Sequence, residues 1–246
     1  MIMSELSVKN LSVETSGKTV VDGASFVLKT GEVHVLMGPN GSGKSSLLNA
    51  MMGHPKYRLK GGVISIDGED ITILPTEKKA RAGIFLSLQH LPEISGVTLT
   101  NFLFRSHKAI KPEDEITPLD FYKQMEVKAK EFGIDPTFLR KHLNTGLSGG
   151  EKKQSEVLQL LALEPKFALL DEIDSGVDID ALKRVFAVID ALRAKGVGFL
   201  LVTHYSKILE HITPDRVHVM KDGKIVASGG GELVEKISKD GFESII

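Results

Sequence analysis

Cysteine and tryptophan are absent from this 246-residue sequence, and aromatic residues make up only 6% of it. A chain without cysteine forms no disulfide, supplies no thiolate ligand to a metal and has no cysteine nucleophile. Nor does any apolar run approach the ~20 residues that a helix needs to span a bilayer. The sequence therefore predicts neither a thiol-dependent protein nor one inserted directly in a membrane.

An excess of charge of one sign is also missing. The chain has 31 basic and 32 acidic residues, for a formal net charge of −1, so no overall basic field favours nucleic acid or anionic lipid. The N-terminal stretch MIMSELSVKNLSV alternates like a β-strand and lacks the basic-then-apolar pattern of a signal peptide. We therefore expect a cytoplasmic protein with no nucleic-acid partner.

What is present is a regular alternation of apolar strands and amphipathic helices. Continuous apolar runs predict buried strands at VHVLM (33–37), FALLD (167–171) and FLLVTH (199–204). Shorter alternating strands are predicted over residues 5–35, and VHVMKDGKIVASG (217–229) predicts a hairpin about its Asp-Gly pair.

Residues 90–165 have a different pattern. Apolar residues recur there at helical spacing, namely Leu119, Tyr122, Met125, Ala129 and Phe132. The whole pattern predicts an α/β fold with a mixed-sheet core, formed by residues 1–89 and 166–246, that carries an antiparallel β portion at its N-terminal end. Residues 90–165 are predicted to form an inserted α-helical subdomain.

A glycine-rich loop, GPNGSGKS, follows the strand VHVLM and precedes a helix, the context in which G-x-x-x-x-G-K-[ST] binds phosphate. Its backbone N–H groups and the helix N-terminus favour an anion, whereas the alternative is a Gly/Ser-rich turn without a ligand. Lys44 would bridge the β- and γ-phosphates of ATP, and the Ser45 hydroxyl would ligate Mg²⁺. The predicted ATP-binding residues are Gly38, Pro39, Asn40, Gly41, Ser42, Gly43, Lys44, Ser45 and Ser46.

Two acids close the buried strand FALLD, at the strand end where parallel sheets place their ligands. Asp171 would hold Mg²⁺ through water, and Glu172 would orient or deprotonate the water that attacks ATP. The alternative is a pair of exposed, helix-capping acids. With the phosphate loop upstream, we expect hydrolysis chemistry with Glu172 as a catalytic residue.

Two further polar residues fit the same site. Gln89, in FLSLQHLPE, closes an apolar run and leads into the helical insert, so it would sense Mg²⁺ and water while linking the two parts of the chain. His204 ends the strand FLLVTH, where its imidazole would donate to the γ-phosphate. Each alone also fits an ordinary role, a loop glutamine or a structural histidine.

A second glycine-rich helix start lies at LSGGE (147–151). Ser148 and Glu151 form the S-x-x-E capping-box pattern, which by itself predicts only a well-capped helix. The two glycines between them cost helix stability, however. They suit a helix N-terminus whose backbone an anion must approach closely.

In order along the chain, GPNGSGKS, Gln89, LSGGE, LLDE, SGVD and His204 resemble the motifs of the ATP-binding cassette (ABC) ATPases over essentially the whole sequence. The resemblance implies an ATP-dependent, head-to-tail homodimer in which each ATP touches Lys44 of one subunit. It further implies that Ser148, Gly149 and Gly150 of the other subunit complete that site, with Asp178 at the dimer seam.

Finer features are similar to one subfamily, the ATPase of the SUF iron–sulfur cluster assembly system. The segments LSGGEKKQSEVLQLLALEPKFALLDEIDSGVDIDALK and THYSKILEHITPDRVHVMKDGKIVASG carry this similarity, because generic transporter cassettes read LSGGQ and DEP-T-S-A-L-D. The resemblance implies SUF scaffold partners (SufB/SufD-like) that dock on the helical subdomain near Gln89. Since clusters are held chiefly by cysteine thiolates, a chain without cysteine would leave the cluster to those partners.

The chain departs from the pattern at two positions and leaves other functions open. Gln154 replaces the family's usual arginine, and Ser16 stands where many cassettes carry an aromatic residue that stacks on adenine, which predicts modest ATP affinity. The main alternative is the ATP-binding subunit of a membrane transporter. A non-hydrolysing structural clamp is another, against which an intact Glu172 counts.

Overall fold

A computed structural model describes residues 3–87, 93–172, 179–203 and 211–245. The chain divides into two compact units: residues 1–87, 166–173 and 193–246 form the first, and residues 88–165 and 174–192 form the second. This division assigns 174–192 to the second unit, whereas the sequence pattern placed all of 166–246 in the core. The nucleotide-binding role predicted for the core and the subdomain role predicted for residues 90–165 remain predictions.

Helices and strands alternate along the described ranges. The strands are β1 (Glu5–Thr15), β2 (Lys18–Lys29), β3 (Val33–Met37), β4 (Arg58–Ile66), β5 (Glu69–Asp70), β6 (Ile84–Ser87), β7 (Ile94–Thr98), β8 (His142–Leu143), β9 (Phe167–Asp171), β10 (Gly198–Val202), β11 (Arg216–Lys221) and β12 (Lys224–Gly229). The α-helices are α1 (Lys44–Met52), α2 (Thr76–Arg81), α3 (Leu99–Ile110), α4 (Pro118–Glu131), α5 (Gly149–Leu163), α6 (Ile179–Ala194) and α7 (Gly231–Asp240). Short 3-10 turns lie at Pro136–Arg140 and Phe242–Ile245. In the parts of the chain that the structure covers, none of the helices combines the length and apolar character needed to cross a membrane.

The first unit contains two sheets. A mixed sheet has the order β12-β11-β3-β10-β9-β6, in which only the β11–β12 pair is antiparallel. An antiparallel sheet has the order β2-β1-β4-β5. The predicted fold class, an α/β cassette with a mixed sheet and an N-terminal antiparallel portion, is confirmed.

Burial explains why the central strands were recognisable from the sequence. Every residue of β3, β9 and β10 is buried, as expected for parallel strands covered on both faces. Helix α1 contributes Leu47, Leu48 and Met51 to a core that also contains side chains of both sheets. The helix that carries the phosphate loop at its N-terminus is thus anchored in the first unit's core.

The second unit is mainly helical, with α3, α4 and α5, but it also contains the small β7–β8 sheet that the sequence pattern did not predict. The predicted face of α4 was partly wrong, because Leu119 is 62% exposed. The buried face instead runs through Phe121, Met125 and Ala129. The Phe121 ring packs on Phe104, with ring centroids 5.5 Å apart, and this contact sets the rotation of the helix.

Two histidines are buried side by side within the mixed sheet. His34 Nδ1 and His218 Nε2 lie 3.1 Å apart, and each ring has a second polar neighbour: Glu32 Oε2 at 3.2 Å from His34 and Ser228 Oγ at 2.7 Å from His218. Burial, together with the charges of His34 and Arg216, lowers the pKa of His218 to about 4. The folded protein therefore holds His218 in its neutral form.

We expect this group to make the fold acid-sensitive. The unfolded chain protonates His218 near its ordinary pKa of 6.5, whereas the folded chain resists protonation until pH is about 4. The stabilisation is thus complete above pH 6.5 and is lost as pH falls toward 4, a change of about 3 kcal/mol in the free energy of unfolding. Urea unfolding at a series of pH values measures it. The free energy of unfolding should fall less with decreasing pH in His218→Gln than in wild type, whereas the exposed-histidine control His142→Gln should show the full fall. Equal falls in wild type and His218→Gln would contradict the assignment.

Candidate active site

Strand register brings the predicted phosphate loop and the acidic pair to one edge of the mixed sheet. Val202 of β10 pairs with Leu36 of β3 on one side and with Asp171 of β9 on the other. Since these strands are parallel, their carboxyl ends meet at the same edge, where open α/β sheets bind ligands. The phosphate loop leaves β3 directly at this edge.

The phosphate loop combines a left-handed backbone with an abrupt helix start. Gly38, Gly41 and Gly43 have φ values of 151°, 78° and 106°, which residues with a Cβ rarely adopt. Helix α1 then begins at Lys44, and the Leu47 N–H donates to the Gly43 carbonyl at 2.8 Å. A glycine-rich loop that leads directly into a helix N-terminus is the type of backbone that the predicted phosphate site requires.

Lys44 is the most unusual ionised group of the loop. Its side chain is only 4% exposed, and its ammonium donates to the carbonyls of Gly38 and Pro39 at 2.9 Å each and to Ser42 Oγ at 3.4 Å. Burial lowers the pKa of Lys44 to about 8, against the opposing charges of Asp171 and Glu172. The site thus holds a desolvated cation whose charged form is favoured by the charges of two carboxyl groups.

Of the two acids, Asp171 is the last residue of β9 and Glu172 follows it directly. Asp171 is 2% exposed, and Glu172 is half-buried with its N–H donating to the Val202 carbonyl at 3.1 Å. Glu172 also has a φ of 51°, an uncommon backbone conformation for a residue other than glycine. Such local strain is found preferentially at functional sites, where the surrounding structure holds it in place.

Three predicted site residues, Gln89, Asp178 and His204, lie outside the residues that the structure describes. The described residue nearest to Gln89 in sequence is Ser87, which ends β6 and is buried, and the one next to His204 is Thr203, which follows β10. The Thr203 N–H donates to the Leu36 carbonyl at 3.3 Å, at the same sheet edge as the phosphate loop. The roles of Gln89, Asp178 and His204 remain predictions.

The LSGGE segment belongs to the second unit and forms the predicted capping box. Ser148 Oγ accepts from the Glu151 N–H at 3.3 Å, and Glu151 Oε2 accepts from the Ser148 N–H at 2.9 Å. Helix α5 begins at Gly149, as the capping-box pattern predicted, and ends at Leu163. Ser148, Gly149 and Gly150 therefore stand at a helix N-terminus in a well-defined backbone conformation.

Sequence reasoning did not identify the lysine that pairs with the glutamate of this capping box. Lys141 donates a hydrogen bond to Glu151 Oε1, and this bond is the largest cause that lowers the pKa of Glu151 to about 2. The lysine precedes the glutamate by ten residues and lies next to β8, so no helical or strand periodicity links them. Glu151 consequently stays ionised, with its charge partly offset by Lys141.

Magnesium would find suitable oxygen donors in the first unit. The Ser45 hydroxyl and the buried Asp171 carboxylate are hard ligands of the kind that Mg²⁺ favours. Among the described residues there is no cluster of three or more His, Asp or Glu side chains placed to hold a metal. Mg²⁺ that binds together with a nucleotide does not need one, because phosphates and water complete its shell.

Comparison with known proteins agrees with this geometry. The family model described as ABC transporter matches residues 21–175. "Vegetative protein 296" of Bacillus subtilis is 46% identical over 246 residues, covering 100% of this chain and 94% of that protein. "Probable ATP-dependent transporter ycf16" of Cyanophora paradoxa is 41% identical over an alignment that covers 97% of this chain and 93% of that protein. A crystal structure of the ADP conformation of an ATP-binding cassette of an ABC transporter is 25% identical, with a TM-score of 0.76 and 98% of each chain covered.

Proposed function

The chain belongs to the ABC transporter family, and we propose that its ATPase activity drives conformational change in the scaffold subunits of the SUF iron–sulfur cluster assembly system. As a member of that family it binds ATP and hydrolyses it to ADP and phosphate.

For the hydrolysis we assign roles within the first unit. The loop amides bind the phosphates, and the buried Lys44 ammonium exchanges its contacts with the Gly38 and Pro39 carbonyls for contacts with phosphate oxygens. Glu172 orients and deprotonates the attacking water. The buried cation of Lys44, whose charged form is favoured by the charges of Asp171 and Glu172, is the observation that supports this assignment most strongly.

Magnesium, when bound with ATP, would neutralise charge on the β- and γ-phosphates. Ser45 and Asp171 would hold it, Asp171 through water. Gln89 is assigned to the same ion and to the attacking water, and His204 to the γ-phosphate, on sequence grounds.

Each nucleotide site is proposed to need a second subunit. The second unit presents Ser148 and the Gly149 and Gly150 amides at the start of α5, a place that favours an anion. In a head-to-tail dimer these groups would contact the ATP held by Lys44 of the other subunit, with Asp178 at the seam. Dimerisation would then be a condition for hydrolysis, and ATP would hold the dimer closed.

The choice of partner rests on the residues that differ from generic transporter cassettes. Glu151 ends the signature segment, Ile173-Asp174-Ser175-Gly176 follows the acidic pair, and Tyr205 follows His204. Glu151 is also built into the fold through Ser148 and Lys141. With no cysteine of its own, the chain would leave cluster binding to SufB/SufD-like scaffold subunits docked near Gln89. Under this proposal the protein works in the cytoplasm.

A second candidate is the ATP-binding subunit of a membrane transporter. The printed name of the Cyanophora relative, a probable ATP-dependent transporter, favours it. Both candidates share the ATPase and the dimer, and they differ only in the partner that receives the motion.

Affinity capture from the native cell separates these two functions. The Glu172→Gln variant, expected to hold ATP and stay closed, serves as bait beside wild type, and Lys44→Ala serves as the control that cannot bind ATP well. We expect recovery of scaffold proteins without membrane spans whose purified complex carries an iron–sulfur absorption spectrum. Recovery of membrane permease subunits without such scaffolds would overturn the SUF assignment.

A further inference from the structure

The hairpin turn between β11 and β12 is joined to the phosphate loop by one backbone hydrogen bond and to β2 by another. The Gly223 N–H donates to the Ser42 carbonyl at 2.9 Å, and the Gly223 carbonyl accepts from the Asp22 N–H of β2 at 2.8 Å. A single glycine of the 222–223 turn thus bridges the loop and the antiparallel sheet. Backbone hydrogen bonds of this kind set position without depending on side-chain rotamers.

The same neighbours explain why two of the loop's residues are glycine. A Cβ on Gly43 would lie 2.4 Å from the Val20 carbonyl oxygen, and a Cβ on Gly38 would lie 2.1 Å from the Met220 carbonyl oxygen. A Cβ on Gly41, in contrast, would meet no atom within 4 Å. Close approach of β2 and the end of β11, and not phosphate alone, therefore demands glycine at both ends of the loop.

Ser42, the residue held by the turn, also contacts the phosphate-binding lysine. Its side chain is 3% exposed, and its Oγ lies 3.4 Å from Lys44 Nζ. Its N–H donates to the Pro39 carbonyl at 3.2 Å. A displacement of the 222–223 turn would consequently move the loop segment that carries both the amides and the ammonium.

We propose that the 222–223 turn is a positioning element that sets the affinity of the phosphate loop for ATP. Gly223 acts through Ser42 and does not touch the nucleotide. The assignment rests on ATP binding at the loop, which the Lys44→Ala variant tests separately.

The chain offers a matched control for a test of this turn. Asp67-Gly68, between β4 and β5, has φ values of 52° and 84°, and Asp222-Gly223 has 48° and 81°. Alanine at either glycine meets the same backbone strain. The surroundings differ, because a Cβ at Gly68 would meet nothing within 4 Å whereas one at Gly223 would lie 3.0 Å from the Val20 carbonyl oxygen.

Both variants carry the same left-handed backbone strain, and Gly223→Ala should lose more stability because of its contact with Val20, but only Gly223→Ala should weaken ATP binding. Relief of the 3.0 Å contact needs a shift of the turn by a few tenths of an ångström, for which we expect about a tenfold rise in the KM and Kd for ATP. Gly68→Ala should keep both constants within about twofold of wild type. Thermal unfolding, calorimetric titration with ATP and steady-state hydrolysis measure these quantities. Equal ATP affinities in the two variants would overturn the assignment.

Hydrogen exchange on the wild-type chain gives a second test that needs no substitution. If the turn and the loop form one positioning unit, saturating ATP should slow exchange of the Gly223 and Asp22 amides by about tenfold or more. The amides of the 67–68 turn should keep their rates. Unchanged exchange at Gly223, in a sample whose loop amides become protected by ATP, would overturn the role of the turn while leaving the ATP site intact.

Discussion

Replacement of Glu172 by glutamine is expected to slow ATP hydrolysis by ~10²–10⁴-fold while ATP binding persists. Glutamine keeps the size of the side chain but cannot accept the proton of the attacking water. Loss of the carboxylate also removes a charge that opposes phosphate, so ATP should be held at least as tightly as in wild type. The variant should accumulate as an ATP-bound dimer, measured by size-exclusion chromatography with and without MgATP.

A second glutamate with left-handed backbone provides the control for this change. Glu164, the C-terminal cap of α5, has a φ of 41°, compared with 51° for Glu172. Its carboxylate pairs with Lys128 Nζ at 2.9 Å in the second unit, and we assign it no part in hydrolysis. Glu164→Gln should hydrolyse ATP at close to the wild-type rate. If Glu172→Gln also turned over normally, its role as the catalytic base would be wrong.

Removal of the Lys44 side chain is expected to weaken binding of ATP itself. Lys44→Ala deletes a desolvated cation and the hydrogen bonds that it donates to the Gly38 and Pro39 carbonyls. A hydrogen bond to a charged group contributes ~1.5–3 kcal/mol, so the Kd for ATP should rise about 10- to 100-fold. Calorimetric titration measures this change, and hydrolysis should fall further because the same cation would stabilise the transferring phosphate.

Lys79 provides a control that distinguishes the effect of Lys44 on ATP binding from the general effect of losing a buried lysine. It is 1% exposed, and its ammonium donates to the carbonyls of Met51 and Thr72 at the other end of α1. Lys79→Ala should lower the melting temperature but keep the Kd for ATP within about threefold of wild type. Wild-type ATP affinity in Lys44→Ala would count against the assignment of the loop.

The pH dependence of binding gives an independent check on Lys44. Its pKa of about 8 in the free protein means that the ammonium is retained below that pH and lost above it. ATP binds the protonated form, so wild-type affinity should be full below pH 8 and fall as pH rises above it. Lys44→Ala should lack this fall.

Several parts of this molecule follow from local patterns because the physical cause is itself local. Continuous apolar runs at β3, β9 and β10 predicted strands buried on both faces, since such strands show no polar face. The S-x-x-E pattern at Ser148 predicted the start of α5 because a capping box spans only four residues. The order of motifs was also sufficient to indicate the family.

Other parts could not be predicted because they depend on packing between distant segments. Helical spacing left the rotation of α4 undecided, and the Phe121–Phe104 contact resolved it by exposing Leu119. The β7–β8 pairing joins short segments with few apolar residues. The ion pair of Lys141 with Glu151 has no periodic signal either.

The sequence by itself determined the residue types from which the chemistry is predicted: a glycine-rich loop with a lysine and a serine, two acids at the end of a buried strand, and a helix that begins at LSGGE. These properties depend on residue types within a few positions of one another. Only the tertiary structure decided how the phosphate loop is held, because Gly38 and Gly43 are pressed against the backbone of β11 and β2, and Ser42 is bonded to Gly223 far along the chain. Backbone contacts between such distant segments leave no residue-specific trace in the sequence except the absence of a side chain.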